Sequence, residues 1–254
     1  MTTETTSLAP PNSARDEWRA LGSFIRAPHL PQAARPLGAA PVLSVLRLLA
    51  LDLMIMAVLV GIALGVEAAG FELPENVLEK LEIGLPLVML MVVGAPLMEE
   101  TIFRSWLSGR PGHVLAVLAV LLFALGAPFA AGFFGLGNGG KSAAALIGGA
   151  GVLAGIAAAI FVLWYFRGRG PWRWYARHFR WFYYGSALAF ASVHLTNYTE
   201  GNAIFLLPLT IPQLILGLFL GYTRVVNGFW SAILLHALHN GIAVSLVLLF
   251  ADMA

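Results

Sequence analysis

Seven runs of apolar residues recur along the chain, broken by Gly, Pro or charged residues, at roughly 42–65, 82–108, 113–135, 143–166, 182–198, 203–223 and 229–251. A helix needs about 20 mainly apolar residues to cross the hydrocarbon core of a bilayer, and each run comes near that length. The pattern predicts an all-α fold, a polytopic transmembrane helical bundle of about seven spans. Residues 1–41 hold several Pro, Ser, Thr and Arg residues and no apolar run, so they read as a mobile tail and not as a cleaved signal peptide. The first apolar run is then a retained anchor, and residues 42–254 form the membrane domain.

Composition sharpens this picture. Of 254 residues, 59% are hydrophobic and 11% charged, where a soluble domain carries about a quarter charged residues. Too few charges are present to clothe a soluble core, so lipid is the main solvent of the fold. The net charge of +2 does not indicate nucleic acid, because the Lys and Arg residues flank apolar runs, where they set orientation. With no Cys in the chain, a disulfide framework, a thiolate zinc site and a Cys nucleophile are all excluded.

The connections can be signed. Arg15, Arg19, Arg26 and Arg35 precede the first run, Arg104 lies at the end of the second and Arg110 just after it, Arg167, Arg169, Arg173, Arg177 and Arg180 follow the fourth, and Arg224 precedes the last. The connection from Val66 to Glu82 is acidic, with Glu67, Glu72, Glu75, Glu79 and Glu82 against Lys80. Basic connections therefore share a side with the N-terminus, which the positive-inside rule makes cytoplasmic. A multi-pass protein of a bacterial inner membrane is the expected setting. The segment Trp172–Tyr184 mixes aromatic rings with Arg and reads as a headgroup-level belt. The Gly-rich run from Gly132 to Gly155 suits a turn flanked by close small-residue helix packing.

Against this apolar background a few groups stand out. Glu99, Glu100 and Arg104 interrupt the second run, and each ionisable side chain costs about 2.5–3.5 kcal/mol at mid-bilayer on insertion scales. Glu100 and Arg104 are four apart and would share a helix face as a pair, leaving Glu99 about 100° away and open to another partner. The bland alternative is a helix end at the headgroups with a solvated salt bridge. His194 lies in the fifth run, and His236, His239 and Asn240 lie in the seventh. His236 and Asn240 share a face; His239 is offset by about 60° and reads as structural. Counting about 1.5 Å per residue from the cytoplasmic ends puts Glu99, His194 and His236 at similar depths of about 12–16 Å, as expected of one cytoplasm-facing cavity.

A carboxylate in a low-dielectric cavity can serve as general base toward water, and imidazole and amide donors can stabilise an oxyanion. The same parts, Glu99, His194 and His236, are candidate ligands for a divalent metal such as zinc with water in the open position. Both alternatives stand at this point.

The ordered set EETIFR, FASVH and HALHN resembles the CPBP family of intramembrane proteases, which includes the type II CAAX prenyl endopeptidases and the Abi proteins, whose motifs are EExxxR, FxxxH and HxxxN. The stretch from Gly221 to His236 also looks like the context of the family's last motif. Each motif is weak alone, whereas the ordered set is specific, covering roughly Gly84 to Arg110 and Arg180 to Leu249. The resemblance implies that Glu99 is the water-activating base, that Glu100 and Arg104 support it electrostatically, and that His194, His236 and Asn240 position water or stabilise the oxyanion. It implies an endopeptidase acting on a membrane-associated peptide or protein, with membrane lipids as the other partner. A metal-free glutamate mechanism, needing no cofactor, is favoured over a zinc one because Asn is a poor zinc ligand. In the family the first two motifs stand a few tens of residues apart; here Glu99 and His194 are ninety-five apart. The two extra runs at about 113–166 thus read as an inserted helix pair within a protease-like domain.

Two other functions use the same features. A non-enzymatic membrane scaffold, or an immunity or assembly factor, would keep the fold for binding, but would be free to lose one of Glu99, His194, His236 or Asn240, and none is lost. A proton-coupled transporter would also hold Glu, Arg and His in the membrane, but no inverted repeat or paired broken helices are evident.

Overall fold

A computed structural model describes residues 11–77, 83–133, 140–198, 201–202 and 206–251. Glu79, Lys80 and Glu82 of the acidic connection, and residues 134–139 of the Gly-rich run, lie outside them. The all-α expectation holds: among the described residues only an isolated bridge between Asn76 and Tyr198 has β geometry. The chain forms two compact units, one from residues 1–103 with 180–254, the other from 104–179.

In the first unit α1 (Ala14–Arg26) opens at Ser13, whose hydroxyl accepts the Asp16 N–H at 3.2 Å, and it carries Asp16 and Glu17 in its first turn and Arg26 in its last. Cap and charges both favour a helix here. This segment falls in the stretch read as a mobile tail, yet it buries Glu17, Leu21 and Phe24. The Phe24 ring meets Tyr183 and Tyr222 edge-on, each at 5.2 Å, and the Tyr222 hydroxyl donates to Glu17 at 3.1 Å. Proline-rich flanks hid a three-turn amphipathic helix whose apolar stripe is too short to register as a membrane run.

The long helix α2 (Ala39–Ala68) is followed by α3 (Leu85–Met89), a π-helical turn (Leu90–Gly94) and α4 (Ala95–Phe103), which run on as one 19-residue apolar segment. Next in this unit come α8 (Phe179–Val193), whose first residue belongs to the second unit, then α9 (Ile211–Val226) and α10 (Phe229–Ala251). The α9 window is 61% buried against 11–22% for the other long apolar helices, which makes α9 the core helix of its unit. Its end is pinned by Asn227, which donates to Ser44 of α2 at 2.7 Å and accepts from Arg35 at 2.9 Å. Gly228 then takes φ +97°, a left-handed turn that a side chain would strain, and α10 starts at once.

The second unit holds a 3₁₀ turn (Ser105–Ser108), α5 (Pro111–Phe133), α6 (Gly140–Tyr165) and the short α7 (Arg173–Arg177). The two long helices form an antiparallel hairpin, and glycines set their approach. A Cβ on Gly151 would lie 2.6 Å from the Phe123 carbonyl oxygen, and one on Gly155 would lie 3.0 Å from Val120 Cα. These residues four apart on one face provide the close small-residue packing expected of the run.

Six helices of the described residues are long and apolar enough to cross a membrane, one fewer than the pattern suggested. The difference is the run at 182–198. Its α-helix is 15 residues, and His194–Asn197 continues as a 3₁₀ turn. At about 1.5 Å per residue such a helix reaches roughly 22 Å, short of the hydrocarbon core of about 30 Å. Thr196 donates back to the Val193 carbonyl at 2.7 Å, a local side-chain bond that competes with helix continuation and that an average of hydropathy does not register. This is an integral, multi-pass helical membrane protein.

Candidate active site

The π turn is where the site begins. In π geometry the Ala95 N–H reaches back to the Leu90 carbonyl, five residues away, which disturbs the regular ladder of the segment. Within that turn the Met91 carbonyl accepts the Asn240 side-chain amide of α10 at 2.8 Å. One turn on, α4 presents Glu99 and Glu100. Glu100 is fully buried and its Oε1 lies 2.9 Å from His236 Nδ1. Glu99, 22% exposed, places its Oε2 3.5 Å from Nε2 of the same ring. One imidazole on α10 therefore bridges both carboxylates of α4.

The sequence pairs Glu100 with Arg104 and leaves Glu99 open to another partner. Within the first unit Glu100 pairs with His236. Helix α4 ends at Phe103, and Arg104 opens the second unit in a non-helical conformation, φ −125° and ψ −18°. The turn is made by Gly109 at φ +65°, after which Pro111 starts α5.

His194 sits at the end of α8 and hydrogen-bonds through Nδ1 to the Phe190 carbonyl at 2.8 Å. Nδ1 must carry the hydrogen in that bond, so Nε2 is the nitrogen left for the cavity's chemistry. The Phe190 ring packs edge-on against both His194, at 4.7 Å, and His236, at 5.7 Å. This fixes the second motif beside the third. The depth estimate that first linked them used helix ends which the structure moves, since Glu99 is only four residues from the end of α4 and His194 lies beyond the whole of α8. Packing between helices, and not equal depth counted along them, brings these groups together.

They share a cavity of about 390 Å³ lined by Glu99, His194, His236 and Asn240 together with apolar side chains such as Leu216 and Val244. Gln213 of α9 and His239 of α10 also line it. Neither was picked out as chemistry from the sequence. His239 is held by Asp52 of α2, Nδ1 to Oδ2 at 2.6 Å. Asp52 was missed altogether, although an acidic residue inside a 30-residue apolar helix is itself a signal.

Residues 151–242 match the family model described as type II CAAX prenyl endopeptidase Rce1-like. The match bears out the family resemblance over these residues, and supports an intramembrane endopeptidase in general. No curated protein and no solved structure matches the chain. The Rce1-like segment contains FASVH and HALHN, with His194, His236 and Asn240. Glu99, Glu100 and Arg104 fall before it, and the two glutamates meet it through the fold, by way of His236.

Chemically, the carboxylate–imidazole–carboxylate array is a proton store. A neutral imidazole offers one N–H, and here both ring nitrogens face carboxylate oxygens. Full pairing needs a second hydrogen, on the ring or on a carboxyl group, shared across Glu99, His236 and Glu100. Of the three, Glu99 is the most exposed to the cavity and the one able to take a proton from a water there. A zinc site on Glu99, His194 and His236 fits less well. Both nitrogens of His236 face carboxylates, and among the described residues no three His, Asp or Glu side chains are arranged to hold a metal ion.

Proposed function

We propose that this chain is an intramembrane endopeptidase that hydrolyses a peptide bond of a membrane-associated peptide or protein, with Glu99 as the base that activates water. The observation that carries the reading is His236 set between Glu99 and Glu100 in a cavity shared with His194 and Asn240. In the proposed reaction Glu99 takes a proton as water attacks the scissile carbonyl. His236 balances the changing charge on Glu99, and Glu100, buried behind it, keeps the ring oriented. This is the carboxylate–imidazole logic that holds a catalytic ring in one tautomer. His194 and the Asn240 amide face the developing oxyanion; His194 can do so as a donor only with its Nε2 protonated, because Nδ1 is committed to Phe190. Arg104 enters on the strength of the EExxxR motif, as electrostatic support for the acidic pair. The protein is assigned to a bacterial inner membrane, with its N-terminus cytoplasmic.

The matched family's description names CAAX prenyl endopeptidases. The chemistry of an apolar anchor presented from the membrane to a buried carboxylate is the part that transfers to this chain. The test compares membrane peptidomes from cells carrying the intact protein and Glu99→Gln at equal abundance. A cleavage product that disappears with Gln establishes proteolysis and names the substrate; unchanged products with a retained cellular phenotype sink the enzyme reading in favour of a binding scaffold.

A further inference from the structure

Helix α10 carries two imidazoles three residues apart, and each has its Nδ1 held by a fully buried carboxylate from a different helix. His236 faces Glu100 of α4 at 2.9 Å, and His239 faces Asp52 of α2 at 2.6 Å. Residues three apart on a helix are surface neighbours. Both rings line the 390 Å³ cavity, and His239 keeps 17% of its side chain exposed while Asp52 has none.

A structural role alone accounts poorly for Asp52. An ionisable group within a membrane span costs about 2.5–3.5 kcal/mol on insertion scales. The aspartate spends that cost on one visible contact: its Oδ1 is buried with no hydrogen-bond partner among the described residues, and Oδ2 meets only His239. A residue chosen to tie α2 to α10 would do so as well with an amide or hydroxyl. A carboxylate does something these cannot, which is to stabilise an imidazolium next to it.

The peptidase reading also lacks one part. Hydrolysis of an amide needs a base for water and an acid for the departing nitrogen. Glu99, His236 and Glu100 form the basic limb. From the geometry we propose that His239, held by Asp52, is the acidic limb that protonates the leaving amine. This rests on the peptidase reading and deepens it. In the step, a water oxygen bonds to the scissile carbon while its proton passes to Glu99. The carbon–nitrogen bond then breaks as the proton on His239 Nε2 passes to that nitrogen, leaving a neutral ring whose Nδ1–H still donates to Asp52. The products are a carboxylic acid and an amine, and the proton on Glu99 returns to His239 through cavity water, so the enzyme ends as it began. Asp52 is the positioning residue, acting through His239.

Leaving-group dependence separates this role from a merely structural one. The probe is the peptide that Glu99→Gln protects, made once with its scissile amide and once with that bond replaced by an ester, whose alkoxide departs with much less need of a proton. His239→Gln is expected to slow amide cleavage by about 10²–10⁴-fold, the usual contribution of a general acid, and ester cleavage by less than about tenfold. Asp52→Asn is expected to follow the same pattern more weakly, which covers the case in which the His239 variant fails to fold. Equal losses on amide and ester, or no loss on either, overturn the assignment while leaving the peptidase reading in place. If the intact protein cuts neither probe, the peptidase reading itself fails and this inference falls with it.

Discussion

The Nδ1 of His236 lies 2.9 Å from Oε1 of Glu100, a carboxylate with no exposed surface, while Glu99 reaches the other side of the same ring from the cavity wall. Adjacent glutamates thus sit in different environments and should separate in mutagenesis. Removing one member of a buried pair strands the other and costs about 3–5 kcal/mol. Glu100→Ala is therefore expected to lower the thermal unfolding midpoint in detergent strongly. Glu99→Gln should leave that midpoint nearly unchanged while abolishing cleavage. A Glu100→Ala protein as stable as the parent would contradict the buried pairing.

Asn240 joins α10 to the π turn through the Met91 carbonyl at 2.8 Å. Only a donor can serve that carbonyl. Asn240→Asp, nearly isosteric but with oxygens on both branches, should destabilise by at least as much as Asn240→Ala, about 1 kcal/mol for loss of a part-buried hydrogen bond. Paired unfolding measurements on the two variants test it. An Asp variant as stable as the parent would mean that the amide contact contributes little.

The α5–α6 hairpin makes a sharp contrast between glycines on one helix. Gly151→Leu would drive a side chain into the Phe123 backbone, whereas Gly148 has nothing within 4 Å of an added Cβ. Gly151→Leu is expected to loosen the hairpin, read as faster proteolysis within residues 104–179, and Gly148→Ala to be neutral or slightly stabilising because Ala is the better helix former. Equal sensitivity at the two positions would discount the close approach.

Chelation bears on the metal alternative. With both nitrogens of His236 facing carboxylates, cleavage is expected to survive dialysis against a strong chelator, and added zinc is expected not to raise the rate. Loss of cleavage on chelation and recovery with one equivalent of zinc would replace the glutamate-only scheme with a metal-assisted one.

Membrane residence and helical class follow from apolar length and scarcity of charge, which are properties of composition along a line; α2, α5, α6 and α10 read directly from it. Glu99, His194, His236 and Asn240 stood out because ionisable or amide groups are costly in lipid wherever the fold puts them. The 15-residue α8 and the helix within the supposed tail did not read correctly, since a local Thr196 bond and a three-turn amphipathic stripe carry little weight in a hydropathy average.

What tertiary structure alone decided is partnership. From local spacing Glu100 could be paired only with Arg104, four residues on. Its partner within the unit is His236, 136 positions away, just as Asp52 finds His239 from 187 positions away. No local rule relates such residues, because which face of one helix meets which face of another is set by packing and by small residues at the crossings. The sequence by itself determined which groups had to be sheltered; the packing of α2, α4, α8 and α10 decided which of them shelter one another.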